Sequence, residues 1–205
     1  MNNINENKSF NSGYTDVFTC MGFNEAEVCV HTFNEHSLLY VYSGHMEVND
    51  GNVTEAVESG RCAFIHKGET VRLTVIPAED ECHVMMMTLP RPFLCELYHC
   101  QFSGHDIPEN GSSIVGHLLP ENAATTSLFQ SLVPFYEFGM EIPQNLYRLK
   151  MTEAILALLT QFPESRQWLF DFSESPLHLL DVVTNPEPAP MKWCKINLEK
   201  ALLCN

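Results

Sequence analysis

Positive charge is scarce in this sequence. Its 205 residues include 11 lysines and arginines against 26 aspartates and glutamates, a formal net charge of -15. A chain with that balance repels phosphate, which argues against non-specific nucleic-acid binding by the domain as a whole. Apolar runs are short as well, and none reaches the roughly 18 residues that a membrane-spanning helix needs. The N-terminal stretch MNNINENKSFNSGYTD lacks the charged-then-apolar pattern of a signal peptide.

Paired cysteines and nucleophile motifs are also missing. The eight cysteines are scattered without a CxxC pair, and several lie in apolar stretches such as EVCVHTF and RCAFIH, where a free thiol behaves as a small hydrophobic side chain. Without an export signal, reduced thiols in the cytoplasm are a simpler interpretation than a disulfide framework. There is no G-x-S-x-G, no phosphate-binding glycine loop and no clustered Cys, His and Asp. We therefore predict that the chain is not an enzyme.

What is present begins with a series of short strands between Glu27 and Leu89. They read EVCVHTF, HSLLYVYS, HMEVN, NVTEAVE, RCAFIH, ETVRLTVIP and ECHVMMMTL. Turn pairs separate them, among others Ser43-Gly44, Asp50-Gly51 and Lys67-Gly68. Evenly spaced short strands with such turns predict an antiparallel sandwich or barrel.

Helical patterns follow the strands. RPFLCELYHC suits a short helix that caps the sheet, and SLFQSLVPFYEF should be kinked or divided by Pro134. The strongest helix is QNLYRLKMTEAILALLTQF, residues 144–162, whose apolar residues on more than one face predict burial on two sides. Later, NPEPAP reads as an extended linker. Strands followed by helices predict an α+β fold.

The strand half resembles the cupin barrel, whose two sequence motifs are spaced by tight-turn glycines. Gly60 and Gly68 match the glycines of one motif at the correct spacing. Other motif positions, including those of the metal ligands, are held here by Leu38, Tyr40, Gly44, His66, Val71 and Val75. A transition metal needs converging imidazole, carboxylate or thiolate ligands, so we predict a barrel without metal or other cofactor. The histidines nearby, His31, His36 and His45, are expected to lie solvated at the ends of the barrel.

Four longer stretches point to one family. They are HSLLYVYSGHMEV, SGRCAFIHKGETVRLTV, MMMTLPRPFLCELY and LYRLKMTEAILALLTQFPESRQWLFDFSESPLHLLDVV. In this order they resemble the N-terminal half of AraC-type bacterial transcription regulators, in particular the subgroup similar to type III secretion activators, over residues 25–183. The resemblance implies a cupin-like barrel that binds a small effector or a regulatory protein, and helices that pair two subunits. It also implies a C-terminal domain with two helix-turn-helix units.

The chain departs from that family pattern at its end. Only 22 residues follow Val183, and NLEKALLCN looks like the first helix of a DNA-binding domain that stops there. We expect a flexible arm (1–25), a cupin-like barrel (26–105), a helical segment (106–183), and a linker with the start of a truncated DNA-binding domain (184–205). DNA contact would require the missing domain, and the sequence leaves open whether the chain is a fragment or a natural short protein.

The family resemblance places a ligand inside the barrel. The expected lining residues share the inward parity of the lost metal ligands: Leu38, Tyr40, Tyr42, Val71, Leu73 and Val75. The alternative is that the same side chains fill a dry core, as they do in most small barrels. The two tyrosines favour a pocket, because buried hydroxyls need hydrogen-bond partners.

The helix at 144–162 is the expected dimer interface. One row at i, i+3/i+4 spacing carries the candidate contacts: Leu149, Glu153, Leu156 and Thr160. The alternative is that the helix packs internally on the barrel, and its two apolar faces allow both arrangements. The resulting hypothesis is a homodimeric regulatory domain. Two other functions stay open: a metal-dependent cupin enzyme, such as an isomerase or dioxygenase, and a stand-alone regulator that acts through mixed dimers.

Overall fold

In the computed structural model, which describes residues 18–78, 81–102, 117–138, 140 and 142–172, strands occupy the first half of the chain and helices the second. The strands are β1 (Phe18–Phe23), β2 (Glu27–Thr32), β3 (His36–Ser43), β4 (His45–Asn49), β5 (Thr54–Glu58), β6 (Cys62–Ile65), β7 (Thr70–Ile76) and β8 (Cys82–Leu89). The helices are α1 (Arg91–Leu97), continued by a π-helical turn (Tyr98–Phe102), α2 (Ala123–Gln130), α3 (Val133–Glu137), α4 (Gln144–Gln161) and α5 (Ser165–Leu169). The predicted α+β class is confirmed.

The strands form two antiparallel four-stranded sheets. The central sheet has the order β1-β8-β3-β6, and the outer sheet has the order β2-β7-β4-β5. The chain passes from the first sheet to the second between β3 and β4, where Gly44 has a φ of +73°. A Cβ added to Gly44 would lie 2.7 Å from the Cβ of Cys82. Glycine is required there because it alone accepts both the left-handed backbone and this close approach.

The central sheet is buried on both of its faces. Leu38 and Tyr40 of β3 point toward the helices, whereas Leu39 and Val41 point toward the outer sheet, because successive side chains of a strand alternate. This double burial explains why HSLLYVYS is an almost continuous apolar run. The outer sheet is buried on one face only, and its strand β7 alternates between buried and more exposed residues.

The helices cover the face of the central sheet that the outer sheet leaves free. Asn122 begins α2, since its side chain accepts a hydrogen bond from the backbone N–H of Ala124 at 2.9 Å. A break separates α2 from α3 and places Pro134 in the first turn of α3, as predicted. The longest helix, α4, matches the predicted helix at 144–162 to within one residue. Within the described ranges no helix is both long and apolar enough to cross a membrane.

The expected flexible arm at 1–25 is wrong in part, because Phe18–Phe23 form β1. This strand pairs with β8 along its whole length, and both of its phenylalanines are buried. Its sequence, FTCMGF, gives a weak strand signal because it is short, contains a glycine and follows a polar stretch. Residues 1–17 and the expected linker and truncated domain at 184–205 lie outside the described residues. The other boundaries of the four expected parts stay predictions.

Candidate effector and dimer surfaces

The six residues expected to line one pocket do not share a face. Three of them lie on β7 and point into the core between the two sheets: Val71, Leu73 and Val75. Leu38 and Tyr40 point to the helices on the opposite side of the central sheet, and 40% of the Tyr42 surface is exposed. The expectation of a common inward parity is therefore wrong. Its physical reason is that the intervening residues of β3 are the ones that face the outer sheet.

Tyr40 holds α2 against the central sheet. Its ring stacks on Phe129 with the centroids 4.9 Å apart and the planes 4° from parallel. Its hydroxyl forms a hydrogen bond with the side chain of Gln130, and burial raises the pKa of Tyr40. The hydroxyl that favoured a ligand pocket is thus satisfied by the protein itself.

A cluster of rings joins β3, β6 and α5 at one end of the central sheet. His36 accepts a hydrogen bond at Nδ1 from the backbone N–H of Lys67 (3.1 Å), so Nε2 carries the proton and donates to the carbonyl of Trp168 (3.1 Å). Burial lowers the pKa of His36 to about 4, with help from the nearby positive charges of His66 and Lys67. The expectation that His36 is solvated is wrong. Its neutral ring is a buried link between the sandwich and α5.

A shallow depression lies beside His36, where α1 and α5 meet the sandwich. It is lined by Glu35, His36, Lys67, Arg91, Leu94, Leu169, Asp171 and Phe172. The guanidinium of Arg91 donates to the carbonyl of Phe172 at 2.8 Å, and the Arg91 backbone N–H donates to Glu35 at 3.1 Å. The depression encloses no volume that a ligand could fill, unlike the roughly 300–1,000 Å³ of a typical ligand pocket, so in this structure it offers only a contact surface for one end of a ligand.

A second polar site closes one edge of the sandwich, and we call its three side chains, Glu55, Glu69 and His117, the His117 latch. The Nε2 of His117 lies 3.2 Å from an oxygen of Glu69 and its Nδ1 lies 3.4 Å from an oxygen of Glu55, which also accepts the His117 backbone N–H. Sequence reasoning missed this site. The three residues are far apart along the chain, and His117 lies in a stretch rich in glycine and proline that carries no motif.

The electrostatics of the latch favour an ion pair. The hydrogen bond to Glu69 raises the pKa of His117, against the opposite effect of burial. Burial by itself raises the pKa of Glu69, but hydrogen bonds from His117 and from the backbone N–H of His66 leave that pKa below its usual value.

Among the residues that the structure describes, no group of three or more His, Cys, Asp or Glu side chains could hold a metal ion.

The outer face of α4 carries the four residues expected at a dimer interface. Leu149 and Leu156 are 64% and 44% exposed. Glu153 accepts a hydrogen bond from Lys150 at 2.8 Å, and the hydroxyl of Thr160 donates to the carbonyl of Leu156 at 2.7 Å. The opposite face of the helix is buried through Tyr147, Met151, Ala154, Ile155, Ala157 and Leu158. Internal packing thus uses one face of α4 and leaves the predicted row outside.

Comparisons with known proteins agree with this architecture. The family of the ExsA N-terminal regulatory domain matches residues 36–170. ToxT from Vibrio cholerae O395, bound to (E)-4-(8-methylnaphthalen-1-yl)but-3-enoic acid, superposes with a TM-score of 0.60 and 12% identity, over 91% of this chain and 75% of that chain. Wild-type ToxT from Vibrio cholerae strain SCE256, bound to an unsaturated fatty acid, gives a TM-score of 0.53 and 11% identity, over 90% and 68%.

A third solved structure, ToxT from Vibrio cholerae in a P21 crystal form, gives a TM-score of 0.55 and 13% identity, over 90% of this chain and 70% of that chain. At such identities the likeness shows the fold alone. Among curated proteins, none matches the sequence.

Proposed function

The chain belongs to the ExsA N-terminal regulatory domain family of AraC-type transcription regulators, and we propose that within such a regulator it performs two tasks, pairing with a second copy and binding a small effector. The predicted resemblance is confirmed by this membership. The family consists of regulatory domains and not of enzymes, so the prediction of a non-enzymatic chain is confirmed as well.

Pairing through α4 is the task that the geometry supports best. The carrying observation is that Leu149 and Leu156, two helical turns apart, are both exposed on the longest helix of the described chain. A row of apolar residues along one helix face is self-complementary across a two-fold axis. Thr160 can be buried in such an interface because its hydroxyl is already satisfied within the helix, and the charge of Glu153, which lies between the two leucines, is met by Lys150.

Light scattering of the Leu156→Glu variant tests this pairing. We expect the mass of the dilute protein to fall from two chains to one, because the variant places two carboxylates against each other in an apolar interface. The matched control is Val53→Glu, which introduces the same charge at an exposed valine in the β4–β5 connection and should leave the mass unchanged. An unchanged mass for Leu156→Glu, with normal helix content by circular dichroism, would contradict pairing through α4.

Binding of an effector is the second task, and the depression beside His36 supports it. Two cations, Lys67 and Arg91, and two carboxylates, Glu35 and Asp171, line it next to the apolar side chains of Leu94, Leu169 and Phe172. Because the Arg91 guanidinium already donates to the carbonyl of Phe172, we assign Lys67 as the cation that meets a carboxylate. A molecule with a carboxylate at one end and an apolar body would meet both features. The two ToxT structures named above contain an aryl butenoic acid and an unsaturated fatty acid, which are ligands of that chemistry.

Titration calorimetry with oleate, and with oleyl alcohol as the uncharged counterpart, tests the effector class. We expect oleate to bind more tightly than the alcohol and Lys67→Gln to weaken oleate binding about tenfold, the usual effect of one lost charge-assisted hydrogen bond. Lys150→Gln is the matched control, since that lysine pairs with Glu153 on α4 and should not affect binding. Equal binding of acid and alcohol, or an unaffected Lys67→Gln variant, would rule out a carboxylate site at Lys67.

A further inference from the structure

The edge strand β2 has its polarity reversed relative to the rest of the outer sheet. It pairs with β7 on one side, and within the described residues no strand lies on its other side. Val28 and Val30 face solvent and are 52% and 66% exposed. Glu27, Cys29 and His31 lie on the face toward the sandwich core and are only half-buried. The strand therefore presents an apolar stripe to solvent and reactive or charged groups at the margin of the core.

The outer edge of β2 is open to pairing with another strand. Unpaired backbone N–H and C=O groups on an edge strand form a template for another strand, and proteins commonly block it with lysine or proline. Neither residue type occurs in EVCVHT, the sequence of β2. The edge strand on the opposite side of the outer sheet, β5, differs because it carries Glu55 and Glu58 and a single buried valine, Val57.

The side chains of β2 are complementary to those of a second β2. In an antiparallel pair, residues directly opposite each other lie on the same face of the sheet. If Cys29 lies opposite Cys29 of a second copy, then Val28 lies opposite Val30 and Glu27 lies opposite His31, each twice by symmetry. This register joins apolar to apolar on the solvent face, and it places a carboxylate against an imidazole N–H donor on the other face.

We propose that β2 pairs antiparallel with β2 of a second copy of this chain, with Cys29 on the two-fold axis, so that two outer sheets become one continuous sheet. This surface is separate from the α4 row, and the two contacts are independent. A pair of six-residue strands buries much less than the roughly 1,600 Å² of a standard interface, so the contact is weak and transient in dilute solution. At high local concentration, the β2 contact links α4 dimers into larger assemblies.

Disulfide trapping of the concentrated protein tests this contact. Directly opposed cysteines in an antiparallel pair meet the distance requirement of a disulfide. In a background with Cys100, Cys194 and Cys204 replaced by alanine, oxidation with copper-phenanthroline at alkaline pH should therefore give a cross-linked dimer on non-reducing gels, and Cys29→Ala should abolish it. Alkaline pH is needed because burial, together with Glu27, raises the pKa of Cys29 to about 11. A cross-link that persists in Cys29→Ala, or no cross-link in the parent chain, would overturn the proposal.

The register has its own test in the same background, with Cys100, Cys194 and Cys204 replaced by alanine, after Cys29→Ala is added. Val28→Cys and Val30→Cys should each fail to cross-link alone and should cross-link when mixed, because only residues 28 and 30 of different copies face each other. Cross-linking of Val30→Cys with itself would contradict the proposed register.

Two further variants separate this contact from pairing through α4. Val30→Lys is expected to lower the Cys29 cross-linked fraction about tenfold without changing the mass of the dilute protein. The matched control Val53→Lys should change neither quantity.

Leu156→Glu should keep the Cys29 cross-link while losing the dilute dimer. If Leu156→Glu abolishes the cross-link, the β2 contact is not independent and the proposal fails, whereas a retained cross-link with an unchanged dilute mass overturns only the α4 dimer.

Discussion

The two edges of the sandwich are built in opposite ways. At the edge formed by β5 and β6, the short segment 117–119 continues the central sheet, because the Phe64 N–H donates to the carbonyl of His117 at 2.8 Å and the Leu119 N–H donates to that of Cys62 at 2.9 Å. The His117 latch then ties this segment to Glu55 of the outer sheet. At the edge formed by β1 and β2, the outer sheet ends in exposed valines. Within the described residues, segment 117–119 covers part of the first edge, whereas no strand lies beside β2 at the second.

The two edges should respond differently to substitution. The closed edge depends on a buried imidazole between two carboxylates, so its stability should follow charge and pH. At the open edge, Val28 and Val30 point to solvent. Substitutions there should therefore affect association more than folding. Three measurements test this contrast.

The largest effect is expected from His117→Ala. The change removes the side chain that joins the segment to both carboxylates and leaves them without their buried partner, so we expect a loss of about 2 kcal/mol in the free energy of unfolding. Urea denaturation near pH 6 measures it. A loss no greater than that of an ordinary surface substitution, about 0.5 kcal/mol, would show that the latch does not hold the edge.

The pH dependence of the latch is the next effect in size. Since the folded pKa of His117 is raised, its stabilisation is full below the unfolded value of 6.5 and is lost as pH rises through the folded pKa. Since the folded pKa of Glu69 is lowered, its stabilisation is full above 4.5 and is lost as pH falls through the folded pKa. The stability difference between the parent chain and His117→Gln should therefore be greatest between these two values.

The contribution of His36 to the pH dependence of stability must be separated from that of His117, because the two act in opposite directions. Its folded pKa of about 4 lies below the unfolded value of 6.5, so its stabilisation is full above 6.5 and is lost as pH falls toward 4. Both proteins of the His117→Gln comparison retain His36, so its contribution cancels in the difference. A difference that does not change with pH would contradict the ion pair in the latch.

The smallest effect is expected at the open edge. Val30→Ala removes exposed methyl groups and should change the free energy of unfolding by no more than about 0.5 kcal/mol in urea denaturation. A loss comparable to that of His117→Ala would mean that Val30 is buried in solution, and the contrast between the edges would then disappear.

The sequence predicted the parts of this fold that depend on local patterns. Turn glycines and alternation gave seven of the eight strands, and the leucine spacing gave α4. It could not decide which side of β3 faces which layer, because Leu38 and Leu39 are equally apolar and only the sheet pairing distinguishes them. The expectation that the six lining residues share one face failed for that reason. The latch was beyond prediction because its residues meet only after the two sheets have packed.

The double burial of β3 has a consequence for how this strand finds its alignment. A strand with one apolar face rejects a one-residue slip because the slip would expose that face, but a slip of β3 would exchange one set of apolar side chains for another. Hydrophobicity therefore specifies its register poorly, and its ends must do so. At the start, His36 accepts one hydrogen bond and donates another to fixed backbone groups. At the end, only Gly44 fits against Cys82, so displacement by one residue would bring a side chain into that contact. His36 and Gly44 therefore fix the register of a strand whose apolar composition does not fix it.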